Sequence, residues 1–261
     1  MMSEVVQRTV SDGVAVITLN RPDRLNAWTV EMEQAYFSEL DWCTESAEVR
    51  AIVLTGAGRG FCAGADMQDL QALGENGAAA RAQERRPQSY PLTVPKPIIA
   101  AINGPCAGIG LVQALMCDLR FAAADAKLTT AFARRGLIAE HGISWILPRL
   151  VGPARALDLL LSARVVLGEE AAELGLVNRA VAKEVVLEHA LDYARELAVQ
   201  CSPASMASCK RQVYADLTRT LPEATSTADE LMLGSFGAPD FTEGVNSFLE
   251  RREPHFAALG G

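Results

Sequence analysis

The sequence has no excess of basic residues. Its 24 lysines and arginines are outnumbered by 32 aspartates and glutamates, which gives a formal net charge of -8. Binding to nucleic-acid phosphates requires a basic surface, so the composition argues against a nucleic-acid partner. The chain also lacks an apolar run long enough to span a membrane, and its start, MMSEVVQRTV, lacks the segments of a signal peptide. We therefore expect no nucleic-acid partner and no membrane partner.

Paired cysteine motifs are missing as well. None of the six cysteines forms a CxxC pair, the spacing on which many zinc sites and redox centres depend. With 49% hydrophobic and 21% charged residues the composition is typical of a globular protein. The sequence thus predicts reduced, mostly buried thiols in a cytoplasmic protein, without a metal site.

Glycine-rich stretches are present, but none is a GxGxxG fingerprint or a P-loop. LTGAGRGFCAGADM follows a strand-like run at 51–54, and INGPCAGIGL follows another at 98–102. Small residues there allow backbone N–H groups to approach a ligand closely. Two such loops in one domain can direct two donors at one oxygen atom, as in an oxyanion hole. The same glycines are also typical of simple turns, and that alternative stays open.

The order of elements indicates an α/β fold. A hairpin is predicted around Ser11-Asp12-Gly13, and a helix capped by Thr29 is predicted after it. Strand-like runs at 50–56, 96–104, 117–123 and 127–130 alternate with helical stretches at 67–73, 108–116 and 142–161, which favours parallel strands with crossovers. From about residue 183 the strand pattern stops and helices follow. We predict an α/β core over residues 1–182 and a helical region over 183–261.

Several motifs together resemble the enoyl-CoA hydratase/isomerase (crotonase) superfamily. They are ITLNRPDRLNA, GRGFCAGADM, AAINGPCAGIG, MCDLRFAA, PRLVGPARALDLLLSARVVLGEEAAELGLVNRAV and EGVNSFLERREPHF. The match runs nearly the full chain, in order. It implies a crotonase-like spiral of ββα repeats with a helical C-terminal region used for trimerisation. It also implies an acyl-CoA substrate, a homotrimer or a dimer of trimers, and no separate cofactor, since coenzyme A is part of the substrate.

The resemblance also implies roles for individual residues. The two oxyanion N–H donors would be those of Ala65 and Ile109. At the position of Ile109, glycine is commoner than isoleucine in the family. The nucleotide end of coenzyme A would lie near four residues, namely Arg24, Ala63, Asp66 and Met67. A solvated surface position remains the alternative for the arginine.

Hydratases of this family carry two glutamates, and their positions here hold Val112 and Phe132. Two apolar side chains cannot orient water or transfer its protons. The chain therefore has the motifs of a thioester site without the hydratase pair of carboxylates.

The stretch GLIAEHGISWILP is similar to the segment of enoyl-CoA isomerases that carries a single glutamate base, which makes Glu140 the predicted acid/base residue. One carboxylate that reaches both C2 and C4 can shift a double bond between 3-enoyl-CoA and 2-enoyl-CoA. An acid just before a helix is also a common cap, so capping is the alternative. His141 and Phe132 are predicted to contact the substrate, and Trp145 to pack in the core or the acyl pocket.

Other functions are compatible with the same pattern. They are hydration with Glu140 acting alone, hydrolysis of a ring or C–C bond in an unusual acyl-CoA, attack by a carboxylate nucleophile, and a non-catalytic scaffold that binds coenzyme A or RNA. The stretch 72–95 is predicted to be mobile, and its Arg85-Arg86 pair to be solvated.

Overall fold

The computed structural model describes residues 4–76 and 85–259. The predicted stretch 72–95 therefore lies partly outside the described residues. The strands are β1 (Val6–Ser11), β2 (Val14–Leu19), β3 (Ala51–Gly56), β4 (Ile98–Ile102), β5 (Cys106–Ala107), β6 (Leu119–Ala123), β7 (Lys127–Thr129), β8 (Val166–Leu167) and β9 (Arg179–Val181). The helices are α1 (Val30–Glu45), α2 (Met67–Asn76), α3 (Ile109–Leu115), α4 (Ile143–Val151), α5 (Pro153–Ser162), α6 (Gly168–Leu174), α7 (Val186–Gln200), α8 (Pro203–Asp216), α9 (Leu221–Phe236) and α10 (Pro239–Glu250).

Two sheets organise the chain. The larger has the order β1-β2-β3-β4-β6-β9, and the smaller has the order β5-β7-β8. Only the β1–β2 pair of the larger sheet is antiparallel. Successive units, β4-β5-α3 and β6-β7-α4, each send one strand to the larger sheet and the next to the smaller sheet. The predicted α/β class with ββα repeats is confirmed.

The predicted hairpin is confirmed, because Asp12 and Gly13 adopt positive φ angles of 53° and 77° between the antiparallel strands β1 and β2. Two central positive φ values give a turn whose twist matches that of the strands. Thr29 caps α1 as predicted, since its side chain accepts a hydrogen bond of 3.2 Å from the backbone N–H of Met32.

Helices cover both faces of the larger sheet. On one face Ile52, Leu54 and Ile98 pack with residues of α1 and α3. On the other face Val53 and Ile99 pack against α7, whose buried residues recur every four positions. That spacing puts them on one side of the helix, and three of the four are alanines that allow close approach.

The single helix predicted over 142–161 is wrong. Gly152 has φ 79° and ψ 158°, and Pro153 opens a second helix, so α4 and α5 are separate. Proline is favoured in the first turn of a helix, where its missing N–H costs nothing.

The six cysteines are free thiols, and Cys43, Cys62, Cys106 and Cys117 are buried, as predicted. Across the described ranges, every helix is too short or too polar to cross a membrane.

Candidate active site

The two glycine-rich loops predicted from the sequence lie side by side. Cys62 and Cys106 form an isolated parallel bridge. The backbone N–H of Cys62 donates to the carbonyl oxygen of Pro105 over 3.1 Å, and that of Ala107 donates to Cys62 over 2.9 Å. A Cβ placed on Gly64, which has a φ of 105°, would lie 3.2 Å from the carbonyl oxygen of Ala107. This close approach and the backbone angle both favour glycine there.

The pairing leaves two backbone donors available. The backbone N–H of Trp28 donates to the carbonyl oxygen of Gly64 over 2.8 Å. The carbonyl oxygen of Trp28 accepts from the backbone N–H of Asp66 over 2.9 Å. This parallel pairing turns the N–H of Ala65 away from Trp28. Ile109 is the first residue of α3, and a first-turn N–H has no acceptor within its helix. Within residues 4–76 and 85–259, neither N–H has a hydrogen-bond acceptor.

One cavity of about 360 Å³ borders both loops. It brings together all nine residues that the sequence predicted for the site, namely Arg24, Ala63, Ala65, Asp66, Met67, Ile109, Phe132, Glu140 and His141. Several further lining residues were not predicted for the site, among them Trp28, Asp69, Leu70, Arg85, Arg135 and Leu137. The grouping is thus a structural finding, whereas the chemical role of each residue stays a prediction.

Asp66, which lines this cavity, has two hydrogen-bond donors next to it. It accepts hydrogen bonds from the backbone N–H of Gln68 over 3.1 Å and from the guanidinium of Arg21 over 3.0 Å. These two contacts hold the pKa of Asp66 below its ordinary value, and the backbone hydrogen bond has the larger effect. Asp66 is therefore an ionised residue that fixes the start of α2.

Glu140 lines the cavity shortly before the start of α4, with 20% of its side chain exposed. Its Oε2 atom is 3.7 Å from Nε2 of His141, which itself adopts a positive φ of 58°. Gly142, and not Glu140, occupies the N-cap position of α4. The backbone carbonyl oxygen of Glu140 accepts a hydrogen bond of 3.1 Å from the N–H of Ile143.

The two positions that carry glutamates in hydratases are apolar and buried. Val112 has no exposed surface, and Phe132 is 5% exposed and lines the cavity. Trp145 is not among the lining residues and packs against the hydrophobic core, which was one of the two predicted alternatives. The Cζ atom of Arg149 lies 4.0 Å from the ring centroid of Trp145.

Arg85 and Arg86 are exposed residues, as predicted, but each of them also forms an ion pair. Arg86 forms a two-point ion pair with Asp41 at 2.7 and 2.9 Å. Arg85 binds Glu33 through two nitrogens, with its Nε atom 2.8 Å from Oε1 and its Nη2 atom on Oε2. No local sequence signal connects these residues, because each pair joins α1 to a stretch more than forty positions away.

Glu33, an acidic residue in the first turn of α1, is only 3% exposed. Besides Arg85, it accepts hydrogen bonds from Nε2 of Gln88 over 2.6 Å and from the indole of Trp28 over 3.3 Å. Burial by itself raises the pKa of Glu33, but Arg85 and the other two donors hold that pKa below its ordinary value. The buried carboxylate stays ionised because three side chains stabilise its charge.

The mostly parallel sheet, the paired loops and the cavity beside them define an α/β protein with two backbone donors at a candidate site. A family model described as Enoyl-CoA hydratase/isomerase matches residues 9–258. The chain therefore belongs to the enoyl-CoA hydratase/isomerase family, and its fold is the crotonase fold.

Individual relatives are similar over almost the whole chain. A probable enoyl-CoA hydratase of Rhodobacter capsulatus is 38% identical, with 98% of this chain and 99% of that protein covered. A 1,2-epoxyphenylacetyl-CoA isomerase of Escherichia coli is 36% identical, again with 98% and 99% covered. The crystal structure of a probable enoyl-CoA hydratase/isomerase from Mycobacterium abscessus has a TM-score of 0.89 and 34% identity, with 97% of this chain and 99% of that chain covered.

Proposed function

We propose that this enzyme shifts a double bond between 3-enoyl-CoA and 2-enoyl-CoA, with Glu140 as the acid/base residue. One observation carries the proposal. Glu140 borders the same cavity as Ala65 and Ile109, whereas Val112 and Phe132 occupy the positions where hydratases carry their glutamates.

The thioester oxygen would accept hydrogen bonds from the backbone N–H groups of Ala65 and Ile109. Such donors stabilise the negative charge that develops when a proton leaves C2, and one donor of this kind contributes about 3–4 kcal/mol. Glu140 would take the proton from C2 of the 3-enoyl thioester and return it to C4 of the dienolate. The double bond then lies between C2 and C3, the carboxylate is restored, and no water is consumed.

Four residues are proposed to hold the coenzyme A part of the substrate: Arg24, Ala63, Asp66 and Met67. Arg24 supplies a guanidinium for a phosphate group, which a chain of net charge -8 must provide locally. His141 and Phe132, which line the same cavity, are proposed to contact the acyl part. The reaction needs no separate cofactor and no metal.

A hydratase activity is the second candidate, supported by the name of the 38% identical relative, a probable enoyl-CoA hydratase. In that case Glu140 alone would have to orient the water molecule and transfer its proton. The apolar side chains of Val112 and Phe132 count against this candidate, because they offer water no hydrogen bond.

We further propose that the chain assembles as a homotrimer or a dimer of trimers in the cytoplasm. Large apolar side chains are exposed on the last two helices, including Leu221 (80%), Leu233 (67%) and Phe248 (83%). Exposed apolar surface on this scale favours burial against another copy of the chain. The free cysteines fit a reducing compartment.

The test is a spectrophotometric assay of 3-enoyl-CoA and 2-enoyl-CoA with the wild type and Glu140→Gln. We expect the wild type to form 2-enoyl-CoA and the variant to bind the thioester but turn over at least about 10²-fold more slowly. Asp69→Asn is the matched control, because Asp69 is an exposed carboxylate that lines the same cavity. Efficient hydration of 2-enoyl-CoA by the wild type would replace the isomerase proposal with the hydratase one.

A further inference from the structure

Arg85 places a guanidinium at the wall of the catalytic cavity. It lines this cavity and also a second pocket of about 430 Å³ along the first turns of α1. Its side chain is 30% exposed, so part of the cation faces open space. The neighbouring Arg86 lines only the second pocket. The two adjacent arginines thus differ in one respect: only the first borders the catalytic cavity.

Only one edge of the Arg85 guanidinium is occupied. Its Nε and Nη2 atoms donate to the two carboxylate oxygens of Glu33. Nη1 forms no hydrogen bond to any part of the chain within residues 4–76 and 85–259. Because a guanidinium is planar and always charged, Nη1 retains two strong donor hydrogens.

The Arg85 guanidinium is held in a fixed position. Glu33 also accepts hydrogen bonds from Trp28 and Gln88, and the Oε1 atom of Gln88 accepts one of 2.6 Å from Nε2 of Gln113. Gln113 belongs to α3, the helix that begins with the proposed oxyanion donor Ile109. This buried polar chain therefore connects Arg85 to one end of the proposed thioester site, which favours a fixed distance between them.

The cavity that Arg85 borders has several large apolar side chains in its lining. Trp28, Leu70, Phe132 and Leu137 all line it. A charged donor among apolar side chains distinguishes strongly between ligands. A ligand without an acceptor displaces the water bound to the donor and offers no hydrogen bond in its place. Glu33 already balances the charge of the guanidinium, so a neutral oxygen atom suits this donor better than a second carboxylate.

We propose that Arg85 determines substrate specificity by donating a hydrogen bond from Nη1 to a neutral oxygen atom in the acyl group. The substrates would then be acyl-CoA thioesters whose acyl part carries a keto, hydroxyl or ring oxygen, in preference to plain alkyl chains. This inference rests on the proposed function for the position of the thioester, but it concerns binding and not proton transfer.

The experiment compares binding of saturated thioesters, which cannot undergo the double-bond shift. Calorimetry gives the Kd of hexanoyl-CoA, 4-oxohexanoyl-CoA, 5-oxohexanoyl-CoA and 6-hydroxyhexanoyl-CoA for the wild type, Arg85→Met and Arg86→Met. We expect the wild type to bind at least one oxygenated thioester about 10- to 100-fold more tightly than hexanoyl-CoA. Arg85→Met should lose that preference and keep its affinity for hexanoyl-CoA, while Arg86→Met should retain it.

Glu33→Gln combined with Arg85→Met provides a second variant without an unpaired buried carboxylate, in case the single variant does not fold. A purely structural role of Arg85 would weaken binding of all four thioesters alike and would overturn the proposal. So would equal binding of all four by the wild type, or a preference that survives in both Arg85 variants. A preference confirmed in a protein that does not isomerise 3-enoyl-CoA would support this inference and reject the proposed function.

Discussion

Gly110 offers a direct test of the proposed pair of oxyanion donors. It follows Ile109 in the first turn of α3, and a Cβ added there would lie 2.7 Å from Cβ of Cys62 and 2.8 Å from its Sγ. It would come closer still to the carbonyl oxygen of Cys62. In Gly110→Ala the helix that carries Ile109 must therefore move away from the loop that carries Ala65.

The size of this movement follows from the contact distances. Ordinary contacts of a Cβ begin at 3.4 Å, so the contact with Cβ of Cys62 alone requires a shift of at least 0.7 Å. A misplacement of about 1 Å can slow catalysis by about 10²-fold, and complete loss of one oxyanion donor by about 10²–10³-fold. Overpacking costs about 1–3 kcal/mol of stability, and the helical preference of alanine over glycine offsets about 0.5–1 kcal/mol of it.

We expect Gly110→Ala to remain folded, with kcat for 3-enoyl-CoA isomerisation reduced by about 10²-fold. Steady-state kinetics and urea unfolding measure the two effects separately. Gly244→Ala is the control, since its added Cβ would lie 3.7 Å from the ring of Phe256, an ordinary contact inside α10. A folded Gly110→Ala variant with the kcat of the wild type would refute the idea that the spacing of the two loops supports catalysis.

Three further changes test the structure away from the reaction itself. Glu33→Gln should lower the free energy of unfolding by about 1.5–3 kcal/mol at pH 7 in urea titrations. Because the folded-state pKa of Glu33 lies below its ordinary 4.5, this difference should persist above that pH and disappear as the pH falls through the folded-state pKa. Thr29→Ala removes the cap of α1 and should cost about 1 kcal/mol in the same assay, with kcat unchanged. Asp118→Ala leaves the ammonium of Lys210, now 2.7 Å from the carboxylate, buried without its partner and should cost about 3–5 kcal/mol of unfolding free energy.

The sequence was informative about the fold wherever a local signal decides the backbone. The turn at Asp12 and Gly13 and the cap at Thr29 depend on residues next to them in the chain, and both are confirmed. The break between α4 and α5 was missed because the apolar periodicity continues across Gly152 and Pro153. Whether residues 1–182 and 183–261 form separate units stays a prediction.

Some residues of the candidate site could likewise be predicted from local sequence, and others could not. The glycine loops and Glu140 lie in short recognisable stretches, and the structure brings them to one cavity. The ion pair of Glu33 and Arg85 depends on long-range packing, in which a stretch beyond α2 returns to α1. The sequence presented Arg85 only as one of two adjacent arginines, so nothing in it distinguished a cavity residue from a surface residue.

The surroundings of the two glutamates argue for different roles. Glu33 is 3% exposed and accepts hydrogen bonds from three side chains, so taking up a proton would break contacts that hold α1 in place. Glu140 borders the cavity with 20% of its side chain exposed, where a substrate carbon can approach it. If this division is right, Glu33→Gln should lose stability but retain most of its kcat, and Glu140→Gln should show the opposite. A Glu33→Gln variant that folds but has lost activity would instead make Glu33 part of the proton-transfer machinery.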